Sequence, residues 1–241
     1  MIHYNNNRPF VEGVSLEDIA KVQATPFYVY SQTKITHTFE QLKNSLDSEI
    51  FYAVKANSNQ SIIKLMASLG AGADVVSVGE LERAIHAGVE PQKIIFEGIG
   101  KTKQDIAFAI EKNIRLINIE SIDELERVNE VSLHQNKKIN IGIRLNPNID
   151  GQTLDKISTG KKTDKFGIDT DILSKLFQVL GVSKNVNLIG ISCHVGSQMF
   201  KINVFAEIFQ KMKANAQLFL DKGYSIRPVS YTHLTLPTNR E

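Results

Sequence analysis

A lysine, a histidine and an arginine stand where apolar runs of the sequence end or are interrupted. Lys55 closes the run FYAVKAN. Apolar neighbours would disfavour its charged ammonium form, and a neutral amine is the nucleophile that forms Schiff bases with carbonyl compounds. A lysine that ends a strand in solvent accounts for the same pattern, and the spacing alone favours that simpler interpretation.

His194 lies in CHVGSQ, at the end of another apolar run. Its ring can stack on a flat cofactor or transfer protons, and Gly196 and Ser197 can donate hydrogen bonds to an anion at the start of the next helix. From the residues alone, an ordinary histidine in a turn is an equally good interpretation. Cys193 precedes it, but alternation along a strand directs the two side chains to opposite faces, which argues against a Cys–His catalytic pair.

Two further charged residues interrupt apolar runs. Arg144 lies inside IGIRLNP, and Asp74 lies in GADVVS. A charge in such a strand must be paired or must face a polar cavity, so a structural ion pair competes with a functional role for both residues. Glu80 falls in the first turn of the next predicted helix, where the helix dipole alone explains a carboxylate. No group of residues in the sequence has the spacing of a metal site.

The elements that would position these residues alternate along the chain. Six apolar runs are predicted to form strands: Phe51–Lys55, Ala73–Ser77, Lys93–Glu97, Arg115–Ile119, Ile139–Leu145 and Asn187–His194. Helical periodicity predicts helices between and after them: Ser61–Leu69, Gly79–Ala87, Lys103–Glu111, Ile122–His134, Thr170–Leu180 and Asn203–Lys222. This alternation is typical of an α/β protein with a parallel sheet, and it suits either a (β/α)8 barrel or a doubly wound sheet.

Two segments lie outside this alternation. Thr25–Ser31 is predicted to be a further strand, followed by a helix from Thr33 to Leu46. The polar segment from Asn146 to Lys165 is predicted to be a long loop. It leaves the carboxyl end of a strand, where α/β proteins place their active sites, and a loop of that length is usually functional or mobile.

Composition excludes several classes of protein. The 241 residues carry a formal net charge of +2 and form no basic run, so no strong field would attract nucleic acid or a membrane surface. Hydrophobic residues make up 42% and charged residues 22%, which is the usual mixture in a soluble globular protein. A single cysteine fits a reducing compartment, and the polar residues 1–14 contain no secretory signal. We therefore expect a cytoplasmic protein.

In combination, the motifs resemble those of the fold-type III pyridoxal-phosphate-dependent decarboxylases. FYAVKAN resembles the segment that contains their Schiff-base lysine. The diaminopimelate decarboxylase branch is similar in further segments, which occur in the same order: GADVVSVGELERAIHAG, INIESIDEL, IRLNP, ISTGKKTDKFGI and SCHVGSQ. The resemblance covers about residues 20–228. Ornithine decarboxylases share the lysine and HVGS segments, whereas the STG…KFGI and VVSVGEL segments favour the diaminopimelate branch.

The resemblance implies a pyridoxal 5′-phosphate-binding (β/α)8 barrel with a C-terminal β domain. It implies that Lys55 is the catalytic, cofactor-binding lysine, and that other residues surround the cofactor: Ala53, Asp74, Arg144, His194 and Ser197. The implied reaction is decarboxylation of meso-2,6-diaminopimelate to L-lysine and CO₂, with the cofactor as electron sink. The substrate would be a small amino acid, with no nucleic acid, membrane or metal involved, and the full-length enzyme would be a homodimer.

The resemblance ends near Val229. We expect residues 1–46 to hold an N-terminal strand and helix that lead into the barrel. Residues 47–229 would form a partial barrel, truncated after about six strands and lacking most of the C-terminal β domain. Residues 230–241 (SYTHLTLPTNRE) do not continue the family pattern and are predicted to be a non-native tail. Because the barrel would be truncated, this chain alone is expected to be inactive.

Three other functions stay open from the sequence. The first is an ornithine, lysine or arginine decarboxylase of the same fold. The second is a non-catalytic pyridoxal-phosphate-binding barrel protein, which would need neither the TPFYVYS segment nor the STGKKTDKFGI segment. The third is a plain barrel scaffold, in which Lys55 would be exposed to solvent and would not react with pyridoxal phosphate.

Overall fold

Residues 2–15 form a small antiparallel sheet in a computed structural model, which describes residues 2–149, 166–196 and 201–228. Its three strands are β1 (Ile2–Asn5), β2 (Arg8–Val11) and β3 (Val14–Ser15). Asn6 and Asn7 in the first turn have positive φ angles, and two-residue hairpin turns of this kind favour asparagine. Helix α1 (Leu16–Val22) follows directly. None of these elements is among the predicted ones.

The segment Thr25–Ser31 is not a strand, so that prediction is wrong. Its aromatic and β-branched residues have high strand propensity, but a strand also needs a neighbour for its backbone hydrogen bonds. No described residue pairs with this segment. Tyr28 and Tyr30 stack on each other with 6.4 Å between ring centroids and are 89% and 51% exposed. Helix α2 (Gln32–Ser45) begins one residue before its predicted start.

The main sheet is parallel, and its strands follow one another in chain order. They are β4 (Phe51–Ala53), β5 (Gly72–Val75), β6 (Ile94–Phe96), β7 (Leu116–Ile119), β8 (Ile139–Asn146), β10 (Val186–Ser192) and β11 (Arg227–Pro228), with the short β9 (Ile168–Asp169) paired to the end of β8. A doubly wound sheet reverses its strand order at a switch point. The described strands show no reversal, and the sequential order is that of a barrel.

A helix follows each of the first five strands of the main sheet, β4 to β8, as the sequence pattern predicts. These helices and the last one are α3 (Gln60–Ser68), α4 (Val78–His86), α5 (Lys103–Glu111), α6 (Ile122–His134), α7 (Leu173–Val182) and α8 (Ile202–Asp221). The helices α3 to α6 begin at Asn, Ser or Thr residues whose side chains accept backbone N–H groups, which stabilises helix starts. No helix in the described ranges is long and apolar enough to span a membrane.

The two faces of the main sheet differ in polarity. The face that packs on the helices is apolar and contributes to one continuous core: Ala73, Val75, Ile94, Phe96, Ile117, Ile119, Ile141 and Ile143. Because side chains alternate along a strand, the residues next to these in sequence lie on the other face, and they include Asp74, Asn118 and Arg144. The inner face is therefore polar near the carboxyl ends of the strands.

Gly72 in β5 is expected to tolerate no side chain. A Cβ at this position would lie 2.5 Å from the backbone oxygen of Lys93 and 2.5 Å from the ring of Phe51. We expect Gly72→Ala to lower the free energy of unfolding by about 2 kcal/mol, as overpacking of a core does. Gly181 in α7 has open space around it, and Gly181→Ala should leave stability equal or slightly higher. Urea titrations of both variants check this, and equal stability of the two would contradict it.

Candidate active site

Lys55, Asp74, Arg144 and His194 lie at or near the carboxyl ends of different strands. Lys55 is in a 3₁₀ turn immediately after β4, Asp74 is in β5, and Arg144 is in β8. His194 follows the end of β10 by two residues and is half-buried. Ala53 is in register with Asp74 across the β4–β5 pair. Ser197 and residues 150–165 of the predicted loop lie outside the described residues, as do residues 229–241.

The Lys55 side chain is exposed, which corrects the expectation that apolar neighbours enclose it. The run FYAVKAN predicts a strand to Lys55, but β4 ends at Ala53 and the chain turns. Val54 enters the core instead. The lysine therefore stands at the open end of the sheet, where a ligand can reach its amine.

Asp74 is a buried carboxyl group that interacts with several charged residues at this end of the sheet. Its side chain is buried, with 4% of the residue exposed. Burial is the largest cause that raises its pKa, to about 8, and the nearby carboxyl of Glu97 raises it further. The Lys55 ammonium and the Arg144 guanidinium lower it in part. These interactions place Lys55 and Arg144 close to Asp74, so the structure brings three of the predicted site residues together.

The raised pKa of Asp74 predicts a pH dependence of stability. Between the ordinary value of 3.8 and about 8, the folded carboxyl holds a proton that the unfolded chain has lost. The folded state then binds more protons, so the free energy of unfolding should fall as pH rises, by up to about 1.4 kcal/mol per pH unit. Asp74→Asn should flatten this slope and raise stability at pH 8. The exposed Asp47→Asn is the control, and equal slopes in urea titrations of all three proteins would contradict the prediction.

Arg144 is paired with Glu120, which was not among the predicted site residues. The Nη1 atom of Arg144 donates to both carboxylate oxygens of Glu120 at 3.0 Å. The ring of Phe166 lies 5.2 Å from the guanidinium carbon, within cation–π range. Both partners of the ion pair are buried. The predicted ion pair therefore exists, and it holds the guanidinium on the inner face of the sheet.

Asn118 joins the site from β7. Its Nδ2 atom donates to Oε1 of Glu97, just beyond β6, and a Cβ on Gly142 of β8 would overlap its Oδ1 atom. Glycine at position 142 thus leaves room for the amide. Burial raises the pKa of Glu97, while Arg144 and the Asn118 hydrogen bond lower it.

Glu97, Asn118 and Glu120 were missed although their signal is visible. Each lies in or directly after an apolar strand, as Asp74 does, in the runs IIFE and LINIE. A polar residue at alternate positions of an otherwise apolar strand indicates a polar inner face. Cys193 has the opposite placement: it lies in the apolar core, and burial raises its pKa to about 12. This agrees with the argument against a Cys–His pair.

Comparison with known proteins identifies the family to which this parallel barrel with its exposed lysine belongs. The family model described as "Pyridoxal-dependent decarboxylase, pyridoxal binding domain" matches residues 32–230. The chain belongs to this family of pyridoxal-phosphate-dependent enzymes.

Within the family, the chain is similar in sequence and structure to diaminopimelate decarboxylases. It is 39% identical over 227 residues to that of Aquifex aeolicus, covering 94% of this chain and 54% of the relative. The Helicobacter pylori enzyme complexed with L-lysine superposes with a TM-score of 0.84 at 37% identity, over 88% of this chain and 54% of that one. A Chlorella virus arginine decarboxylase bound to agmatine reaches a TM-score of 0.75 at 26% identity, over 88% of this chain and 55% of that one. The chain spans about half the length of the curated relatives it matches.

The described residues fit pyridoxal 5′-phosphate. Lys55 would offer an exposed amine to the aldehyde carbon of such a cofactor, and Arg144, whose charge like that of Lys55 acts on the buried Asp74, would supply a cation in the same site. Ser192 is in register with Arg144, and its buried Oγ atom has no hydrogen-bond partner among the described residues. A buried hydroxyl without a partner is costly and is accounted for if a ligand completes the site. The chemistry of these donors is that of a site for an anionic aldehyde.

Proposed function

We propose that the full-length protein to which this chain belongs decarboxylates meso-2,6-diaminopimelate to L-lysine and CO₂ with pyridoxal 5′-phosphate held on Lys55. The observation that carries the proposal is the position of Lys55, exposed at the carboxyl end of β4 and close to the buried Asp74. The similarity to diaminopimelate decarboxylases over most of this chain supports the choice of substrate. Similarity to the arginine decarboxylase is lower in both identity and TM-score, which ranks that activity second.

Lys55 is the proposed catalytic residue, because its amine would hold the cofactor covalently. Around the cofactor we place the other predicted residues: Ala53, Asp74, Arg144, His194 and Ser197. When bound, pyridoxal phosphate supplies the electron sink for the electron pair left behind as CO₂ departs.

Asp74 and Arg144 have distinct proposed tasks. With its pKa raised to about 8, Asp74 keeps a proton at neutral pH and can therefore donate a hydrogen bond, as other buried carboxylic acids do in active sites. Arg144 is held by Glu120 at 3.0 Å, and its planar fork of N–H donors suits an anionic group of the cofactor or substrate. His194 is proposed to stack on the cofactor ring.

The proposed organisation follows the family. Residues 1–46 lead into the barrel and residues 47–229 form the cofactor-binding part of it, while residues 230–241 are proposed to be non-native. The substrate is a small amino acid, the protein is proposed to act in the cytoplasm, and the full-length enzyme is proposed to be a homodimer. Size-exclusion chromatography with light scattering tests the dimer.

An assay with four amino acids tests the activity. The full-length protein is loaded with pyridoxal phosphate and offered meso-diaminopimelate, L-ornithine, L-lysine and L-arginine in parallel, and the 241-residue chain alone, which is expected to be inactive, is assayed beside it. We expect CO₂ and L-lysine from meso-diaminopimelate at a rate at least about tenfold above the others. A site that binds the second carboxylate of meso-diaminopimelate would strongly reject substrates that lack this group. Preferred turnover of another amino acid would replace the substrate assignment. Bound cofactor without turnover of any of the four would indicate a carrier.

A further inference from the structure

Lys101 is a buried cation that the proposed reaction does not use. It lies just before α5, with 4% of the residue exposed. Its Nζ atom donates to the backbone oxygen of Gly98 at 2.5 Å, to that of Asn118 at 2.8 Å and to Oε1 of Glu124 at 2.8 Å. An ammonium group has three N–H donors, so each has a partner. One side chain thus links the ends of β6 and β7 to the first turn of α6.

Glu124 extends this link towards the site. Its second oxygen, Oε2, accepts the backbone N–H of Glu120 at 2.7 Å. The side chain of Glu120 in turn accepts from Arg144 at 3.0 Å. On the other side, the residue whose carbonyl binds Lys101 is Asn118, whose amide contacts Glu97. The Lys101–Glu124 pair is therefore connected through Asn118 to Glu97 and through Glu120 to Arg144. The charges of both Glu97 and Arg144 act on Asp74.

We propose that Lys101 and Glu124 form a positioning pair, which fixes the backbone at Asn118 and Glu120 so that Glu120 holds Arg144 in the cofactor site. The inference rests on the proposed function, because it assigns the pair an effect on pyridoxal phosphate. Neither residue touches the cofactor; both act through Glu120.

The energetics of buried ion pairs separate this role from simple stabilisation. Removing one partner leaves an uncompensated charge and is strongly destabilising, whereas replacing both by apolar residues of similar size is often neutral. The double replacement Lys101→Met/Glu124→Leu should therefore fold. It has no acceptor for the backbone N–H of Glu120, however, and no donor for the carbonyl of Asn118. We therefore expect the double replacement to weaken cofactor binding more strongly than it lowers stability.

A control is the more exposed Arg115–Glu49 pair at the opposite end of β7. Its Nη2–Oε2 distance is 2.6 Å, and the Arg115 side chain is 27% exposed. The double variant Arg115→Met/Glu49→Leu removes an ion pair next to the same strand, away from Arg144. For both double variants and the unchanged protein, one would measure the thermal midpoint of the cofactor-free protein and the apparent Kd for pyridoxal phosphate by absorbance titration.

We expect Lys101→Met/Glu124→Leu to fold with a thermal midpoint lowered by no more than about 10 °C, because two backbone groups lose a partner, while its Kd for pyridoxal phosphate rises by at least about tenfold, since small misplacements of site groups are costly. The control should keep the Kd of the unchanged protein. A normal Kd in Lys101→Met/Glu124→Leu would overturn the positioning role while leaving the proposed function intact. Failure of that variant to fold would also overturn it, because the pair would then serve stability. If the unchanged protein does not bind pyridoxal phosphate, the proposed function fails together with the inference.

Discussion

Lys55→Ala is expected to abolish covalent capture of pyridoxal phosphate on borohydride reduction. Capture requires a neutral amine that reaches the aldehyde of the cofactor, and Lys55 offers an exposed amine at the carboxyl end of β4, close to Asp74. The 3₁₀ turn should accept alanine at position 55, because it already contains Ala56. The measurement is the mass of the intact protein after reduction, with and without cofactor.

Lys64→Ala is the control for this prediction. Lys64 is an exposed lysine in α3, outside the carboxyl ends of the strands, and its replacement should leave capture unchanged. Labelling of Lys55→Ala at the level of the unchanged protein would remove Lys55 from its role. The scaffold interpretation, in which an exposed Lys55 does not react with the cofactor, would gain if the unchanged protein showed no mass increase.

Arg144→Met is expected to produce the largest loss of stability among the proposed variants. It leaves the buried Glu120 carboxylate without the guanidinium that lies 3.0 Å away, and breaking one partner of such a buried pair costs about 3–5 kcal/mol. The Arg144 cation also lowers the pKa values of Asp74 and Glu97, so both carboxyls should become harder to ionise. Urea titration at pH 7 measures the free energy of unfolding.

Two companions separate charge from packing in this experiment. Arg144→Met/Glu120→Met removes both charges and should recover much of the lost stability, because no buried charge is left unpaired. The exposed pair Lys103–Glu130, with an Nζ–Oε1 distance of 2.6 Å, serves as the surface control, and Lys103→Met should change stability little. An Arg144→Met protein as stable as the unchanged one would show that Glu120 and Arg144 are not paired in solution.

Asp74 and Arg144 were singled out because they break a local rule, whereas Ala53 was placed in the site by the family resemblance alone. A charge such as Asp74 or Arg144 inside an apolar run has no explanation in strand propensity, so it marks an inner polar face. Glu97 and Glu120 also carry a charge next to an apolar run, but they stand at its end. A polar residue at the end of a run is equally well explained as the start of a loop. Their roles depend on which neighbouring strand lies beside them, and strand spacing alone does not state that.

The parts of the fold that the sequence predicted are those set by local patterns. Helices α5 and α6 have their predicted bounds, because caps at Thr102 and Ser121 and a clear apolar periodicity define them. Strand β4 and the segment Thr25–Ser31 were predicted less well, because the extent of a strand depends on pairing partners elsewhere in the chain. The order of the parallel strands, which distinguishes a barrel from a doubly wound sheet, likewise needed the three-dimensional arrangement.

Peptide mapping identifies which lysine of this chain carries pyridoxal phosphate, and we expect that lysine to be Lys55. The protein is incubated with the cofactor, reduced with borohydride and digested, and the peptides are sequenced by tandem mass spectrometry. A phosphopyridoxyl group is expected on the peptide that contains FYAVKAN, attached to Lys55. A group found mainly on another lysine, or spread over exposed lysines without preference, would contradict this expectation.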